Sequence, residues 1–381
     1  MTDVVKTLST LAEARAVPPS DFVDAPERVS EVAHLPLVLP EPKSTKQVLA
    51  ETGFYNPATL DELIASAAMG HVILAGPPGS GKTSLAKALA KAFNVGVSCA
   101  TANAEWSIYD TIGTQTLNDT GGISPQHGVV SSAVLQCANT IVSYADTGTG
   151  PQGHWLLIDE MNRAEIDRAF GPLFTALAGG EDPSIPLHYL KGRPSLSIPS
   201  RFRIIATINE YDTRFVQSMS GALRRRFSKV LILPPRSDSS GLIPDGELKV
   251  ARKRAAEMVK ASLGSEPAGA LTAIDGQSAH LREVFGFFRD SGEHGGIPIG
   301  TASVIDVLSY LMVLATTTGI DATAEFGSLL DRAISARLVP MLETDSTRNR
   351  IDDGFPAALQ SKFPDLTLSG NRIAAFLHGM D

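Results

Sequence analysis

Apolar positions along the chain fall into two regimes. Up to about residue 235, short apolar runs bounded by Gly, Pro or acidic residues alternate with stretches of helical spacing, and beyond it only helical spacing remains. The runs His71 to Ala75, Val95 to Cys99, His154 to Ile158, Phe202 to Thr207 and Val230 to Leu233 suit strands of a parallel sheet buried on both faces. Between them lie the helical stretches. Leu60, Leu63, Ile64 and Ala67 precede the first strand, Leu85, Leu89 and Ala90 follow it, and Val130, Ala133, Val134, Cys137 and Ile141 share one face within Val129 to Tyr144. Asn162 to Leu177 also alternates as a helix. Two insertions predict hairpins: Thr114 to Leu117 ahead of Gly121-Gly122, and Ile185 to Leu190 with Ser195 to Ile198 around Lys191-Gly192-Arg193-Pro194.

After Pro234-Pro235 the apolar faces are helical throughout, as in Leu248, Ala251, Ala255, Met258 and Val259, then Val304, Val307, Leu308, Leu311 and Leu314, then Leu330, Ala333, Ile334 and Leu338. Strands alternating with helices predict an α/β core with a parallel sheet, and the helical remainder a second unit. The expected divisions are a Pro-rich extended arm over 1–55, with one short helix around Val4 to Arg15, an α/β core over 56–235, a helical unit over 236–345 and a small C-terminal extension over 346–381. That extension would end in a helix around Arg372 to His378.

Length and composition narrow the picture further. A chain of 381 residues with 43% hydrophobic positions is long enough for two to three domains with full cores. No apolar run approaches the ~18 residues of a membrane span, and Asp3 without a following apolar core does not make a secretion signal, so a cytoplasmic protein is expected. A formal net charge of -8 argues against coating nucleic acid by bulk charge, although it leaves a local basic patch open. The two cysteines, Cys99 and Cys137, lie outside any C-x-x-C spacing and are expected to be small core residues. Trp106 and Tyr109, where a loop would leave the second strand, are expected to be packing residues before substrate contacts.

The chemistry concentrates in two phrases. Gly76-Pro77-Pro78-Gly79-Ser80-Gly81-Lys82-Thr83 fits the G-x-x-x-x-G-K-[ST] phosphate loop without mismatch, between a strand and a helix as that loop requires. Its glycines let backbone N–H groups turn towards phosphates, the helix start adds its dipole, Lys82 would neutralise the outer phosphate oxygens, and Thr83 would hold Mg²⁺. With Ser84 beside it, this segment is the candidate nucleotide cradle. The second phrase is Leu156-Leu157-Ile158-Asp159-Glu160, which ends an apolar strand in two acids 77 residues after Lys82. Asp159 would order the Mg²⁺ shell, and Glu160 would polarise the attacking water. Asn209, at the tip of the next strand, is placed to bond that water or the outer phosphate. Arg224, Arg225 and Arg226 form a basic run before the last strand.

Taken together, GPPGSGKT, LLIDEMNR, IIATINEYD and ALRRRF resemble the AAA+ ATPases, within the branch that holds the MoxR-type ATPases and the McrB-type restriction motor. GHVILAGPPGSGKT is similar to the MoxR type, whereas DEMNRAEIDRAFG, Asn209 to Asp212 and ALRRRF are closer to McrB. The resemblance covers about residues 60 to 235. It implies a P-loop NTPase core with a C-terminal helical lid, Asn209 as sensor 1, and Arg225 or Arg226 as the finger entering a neighbour's site. It also implies ATP with Mg²⁺, GTP being open through the McrB-like phrase, and a homo-oligomer, most often a ring of six. The activity implied is remodelling or driving a partner, such as a nuclease, an effector or a von Willebrand-type domain protein encoded nearby. A nucleotide-binding scaffold with little turnover is the remaining alternative. One departure stands out: no arginine occurs at Gly300-Thr301-Ala302, where the family commonly places sensor 2.

Overall fold

The structure, a computed structural model, describes residues 33–117, 122–177, 183–209, 225–342 and 349–379. The expected helix near Val4, Glu210 to Asp212 and Arg224 lie outside these residues. Five strands, β1 (His71–Gly76), β2 (Gly96–Thr101), β5 (His154–Asp159), β8 (Ile204–Asn209) and β9 (Phe227–Leu231), form a sheet in the order β2-β5-β8-β1-β9. Every pairing in it is parallel. Successive side chains of a strand serve opposite faces, so the apolar runs divide cleanly. Ile73, Ala75, Leu156, Ile158, Ile204 and Ala206 enter one core, and Val72, Leu74, Trp155, Leu157 and Ile205 the other.

Helices α1 (Pro42–Ala50), α2 (Pro57–Met69) and α3 (Lys82–Ala92) cover the second face through Leu49, Leu60, Leu63, Leu85 and Leu89. The expected extended arm over 1–55 therefore needs correction for its described part. Glu41 caps α1 with Pro42 in its first turn, and Pro36 O and Val38 are bonded to Arg201 and Gln152, which ties residues 33–55 to the α/β core. Arg203 holds α2 in turn: its guanidinium donates to Ala67 O, Ala68 O, Ser200 O and Phe202 O at 2.7–3.0 Å. The carbonyls at a helix C-terminus lack partners of their own, which is why a buried arginine can be accommodated there.

On the first face lie α4 (Ile108–Thr111), α5 (Val129–Thr147), α6 (Ile166–Phe170) and α7 (Leu173–Ala176). The continuous helix expected over Asn162 to Leu177 is instead a 3-10 turn, Met161–Arg163, followed by these two short helices. Gly171-Pro172 divides them, since proline has no N–H to continue the ladder. The two hairpins form as β3 (Gly113–Leu117) with β4 (Ile123–His127), and β6 (Ser184–Pro186) with β7 (Ser195–Ser197). Tyr189 joins them: its carbonyl accepts from Gln115 Nε2 at 2.9 Å, and its hydroxyl meets His127 Nδ1 at 2.5 Å. Trp106 is buried, whereas Tyr109 is exposed. Cys137 is buried, its thiol pushed up to about 12 by burial, but Cys99 on the edge strand β2 is exposed, contrary to expectation.

Beyond Pro235 come α8 (Asp245–Leu263), α9 (Ala268–Gly276), α10 (Ser278–Arg289), α11 (Thr301–Thr318), α12 (Phe326–Arg337), α13 (Val339–Leu342), α14 (Phe355–Lys362) and α15 (Thr367–His378). One apolar cluster runs through them from Ile243 to Leu377. Phe355, Leu359, Phe363, Ile373 and Leu377 belong to that cluster, so the described part of 346–381 completes the helical unit's core and is no separate appendage. Among the described residues one helix, α11, is long and apolar enough to cross a membrane by composition, and half of that window is buried inside this core.

Candidate active site at the carboxyl edge of the sheet

Strand β1 ends in Gly76, where a Cβ would stand 2.2 Å from Ile232 O of the neighbouring chain segment. The backbone then turns through Gly79 (φ 69°) and Gly81 (φ 82°), left-handed conformations that glycine adopts without a Cβ penalty. Gly81 is the N-cap of α3 and offers no side chain to its first amides. Those orphan donors, together with the helix dipole, make the loop an anion cradle. Lys82 Nζ lies within it, donating to Gly76 O at 3.0 Å, Pro77 O at 2.7 Å and Ser80 Oγ at 3.4 Å. Ser80 is buried, while Ser84 is exposed one turn into the helix.

Thr83 Oγ1 donates to Asp159 Oδ1 at 2.8 Å, which joins the phosphate loop to the end of β5. The same carboxylate oxygen accepts from Thr207 Oγ1 at 2.5 Å, and the Thr207 hydroxyl accepts from Glu160 N at 3.0 Å. Thr207, 1% exposed, is thus the joint between the two acids. Glu160 itself takes a left-handed backbone (φ 54°), a conformation that costs a non-glycine residue roughly 1–2 kcal/mol. Its carboxylate pairs with Arg163 Nε at 2.7 Å. Asn209 ends β8 beside Gly76 in the strand register. Asn162 anchors it, donating from Nδ2 to Asn209 O at 3.4 Å and accepting from Asn209 N at 3.3 Å.

Thr83, Asp159, Glu160 and Asn209 are therefore brought to one edge around the loop. The oxygen donors Thr83 Oγ1 and Asp159 Oδ1 suit a hard cation such as Mg²⁺, which takes few protein ligands and shares the rest of its shell with water and phosphate. Among the described residues no group of three or more His, Cys, Asp or Glu side chains stands ready to hold a metal on its own.

Arg225 and Arg226 lie elsewhere. Phe227 begins β9 and pairs with His71, at the opposite end of β1 from Gly76. At about 3.3 Å per strand residue, Arg226 stands about 20 Å from the phosphate loop of its own chain. The two arginines also differ from each other: Arg226 is half-buried and donates from Nε to Phe174 O, whereas Arg225 is exposed.

Nothing in the sequence alone singles out Thr207 or Asn162. A threonine inside an apolar strand fits that strand by β-propensity alone, and only the register β5 to β8, in which Ile158 pairs with Ala206, shows that it underlies the acids.

Residues 71–227 match the family described as the AAA domain, dynein-related subfamily. No curated protein sequence matches the chain closely enough to count as a relative. Among solved structures, a mutant RuvB of Thermotoga maritima is similar at 17% identity, covering 86% of this chain and 89% of its own, with a TM-score of 0.40. A putative ATPase from Cytophaga hutchinsonii has 15% identity over 79% and 85%, with a TM-score of 0.39. NtrX from Brucella abortus in complex with ADP has 12% identity over 71% and 53%, also at 0.39. At such identities the roles of individual residues rest on this chain's own geometry.

Proposed function

We propose that this chain, whose residues 71–227 form an AAA domain of the dynein-related subfamily, is an oligomeric ATPase that hydrolyses ATP where subunits meet and so drives a partner protein or macromolecular substrate. The observation that carries the proposal is the run of bonds Thr83 to Asp159 to Thr207 to Glu160, which joins the loop of one strand to the acids of another at the sheet edge. Lys82 and the amides at the start of α3 bind the phosphates. Thr83 and Asp159 hold Mg²⁺, which when bound neutralises charge on the phosphate oxygens. Glu160, released from Arg163, orients and polarises the attacking water, and Asn209 fixes it against the outer phosphate.

The arginine arrangement favours a shared site. A side chain about 20 Å from its own loop cannot touch its own outer phosphate, while an exposed arginine at the opposite sheet edge can enter a neighbour's site. Of the two candidates we assign the finger to Arg225. Arg226, tied to Phe174 O, braces the end of α7. The proposed units are an α/β core that includes residues 33–55 and a helical lid that extends through residue 379. A ring of six is the proposed assembly, with the partner supplied by a separate chain.

The test is a mixing experiment. Arg225→Ala and Glu160→Gln, each poorly active alone with ATP binding retained, should regain ATP turnover when mixed, because an interface that joins the intact acids of the first to the intact Arg225 of the second is complete. Arginine fingers contribute about 10³ to 10⁵ in rate generally, so each Arg225→Ala subunit should silence its neighbour's site. A mixture that stays as inactive as its two components, together with a wild-type specific activity independent of protein concentration, would remove the shared-site reading.

A further inference from the structure

We infer that the buried pair Arg289–Glu247 is a positioning element for nucleotide binding: it seats the start of α11 against the phosphate loop. The contact it supports is backbone on backbone at Gly300, with the Ser303 side chain packed beside it. A Cβ on Gly300 would stand 2.3 Å from Gly79 O and 2.7 Å from Ser80 Cα, and one on Gly79 would stand 2.4 Å from Ser303 Oγ. At that closeness the lid helix and the loop cannot shift independently, because packed protein does not deform continuously. Gly300-Thr301-Ala302 carries no arginine, and the lid meets the loop here through the main chain of Gly300.

Three segments converge on the guanidinium of Arg289, at the end of α10. It donates from Nη1 and Nη2 to the two carboxylate oxygens of Glu247 at 2.7 and 2.5 Å, from Nε to Ile299 O at 2.9 Å, and from Nη1 to Pro235 O at 3.1 Å. The side chains are 6% and 0% exposed, so the pair is shielded from solvent. Pro235 is where the chain leaves the α/β core, Ile299 immediately precedes Gly300, and Glu247 lies in the first turn of α8. Glu247 Oε1 also accepts from Thr301 Oγ1 at 3.0 Å, and that hydroxyl accepts from Phe54 N at 3.4 Å. One charged cluster therefore links the exit from the core, the segment before α2 and the start of the lid helix.

Stability alone does not account for such a cluster. A buried ion pair repays its desolvation poorly, and well-packed apolar residues of similar volume often serve the fold as well or better. What apolar residues cannot do is bond Pro235 O, Ile299 O and Thr301 Oγ1 at once and fix where α11 begins. The kinetic consequence rests on the nucleotide reading of the loop: a lid start that is loosely seated leaves the loop loosely shaped, which weakens binding and leaves Glu160 and its water untouched.

The experiment compares the wild type with Arg289→Lys and with the double variant Glu247→Leu/Arg289→Met. KM and kcat are measured for MgATP, and amide hydrogen exchange is followed in nucleotide-free protein at 79–82 and 300–304. The double variant should stay folded, with KM raised about tenfold, kcat within about threefold, and faster exchange in both segments. Arg289→Lys keeps the charge but loses the fork, so it should fall between the two in KM and exchange, and it supplies the answer should the double variant not fold. Folded variants with wild-type KM and wild-type loop exchange would overturn the inference, as would a lower melting temperature with neither change. A wild type that neither binds nor hydrolyses MgATP would defeat the nucleotide reading instead, and the exchange data would still decide whether the pair seats the loop.

Discussion

Replacing Thr207 by Val tests the joint between the two acids with almost no change of volume. In the wild type the Thr207 hydroxyl donates to Asp159 Oδ1 at 2.5 Å and accepts from Glu160 N at 3.0 Å. Thr207→Val removes both bonds. A hydrogen bond to a charged group contributes about 1.5–3 kcal/mol, and an N–H left without a partner costs about 1–3 kcal/mol, so a net loss of about 2–4 kcal/mol is expected once partial relaxation is allowed. The N–H concerned belongs to Glu160, whose backbone is left-handed, whose carboxylate pairs with Arg163 Nε and whose carbonyl accepts from Arg163 N. Freed from Thr207, Glu160 should drift from its place, and a misplacement of about 1 Å lowers turnover about 10²-fold. Thr207→Ser keeps the hydroxyl and should stay within about 1 kcal/mol of the wild type. The assay is urea unfolding beside MgATP turnover. A Thr207→Val protein with wild-type turnover and an unchanged urea midpoint would refute the reasoning.

Two further outcomes follow from the same geometry. Lys82→Ala removes the ammonium held within the loop by Gly76 O and Pro77 O and should weaken ATP binding itself, read by equilibrium titration; unaltered affinity would contradict the cradle. For pH, His71 accepts the Ile204 amide at Nδ1, and its ring lies between Phe202 and Phe227; burial first, and then the Arg203 charge, pulls its pKa down to about 3. Burial likewise pulls His154 down to about 4. Both stay neutral when folded but take up a proton in the unfolded chain below about pH 6.5, so stability is full above that pH and declines towards pH 4. The slope is about 1.4 kcal/mol per pH unit for each histidine. Urea midpoints that match at pH 7.5 and pH 5 would contradict this.

The sheet was legible because its strands are buried on both faces and so appear as continuous apolar runs; β1 and β5 fall within one residue of the expected spans. The apolar run sets the last strand at Val230 to Leu233, whereas β9 spans Phe227–Leu231. Its outward Lys229 and Leu231 are exposed, as suits an edge strand, and the apolar run alone points to the later residues. That shift matters for function, because it sets Arg225 and Arg226 directly at the strand's start. The phosphate loop could be found from eight consecutive positions, whereas Thr207 and Arg289 act through partners 47 and 42 residues away, which only the folded register reveals. The prolines of residues 33–55 suggest an arm, whereas the bonds that dock this segment come from Arg201 and Gln152 of distant segments.

The central claim is that this chain hydrolyses ATP with Glu160 as the residue that activates water. Steady-state MgATP hydrolysis by the wild type and by Glu160→Gln, with bound nucleotide measured in the same samples, tests it most directly. The account predicts that Glu160→Gln retains bound ATP at wild-type affinity while turnover falls by about 10² to 10⁴. Wild-type turnover in Glu160→Gln would contradict it.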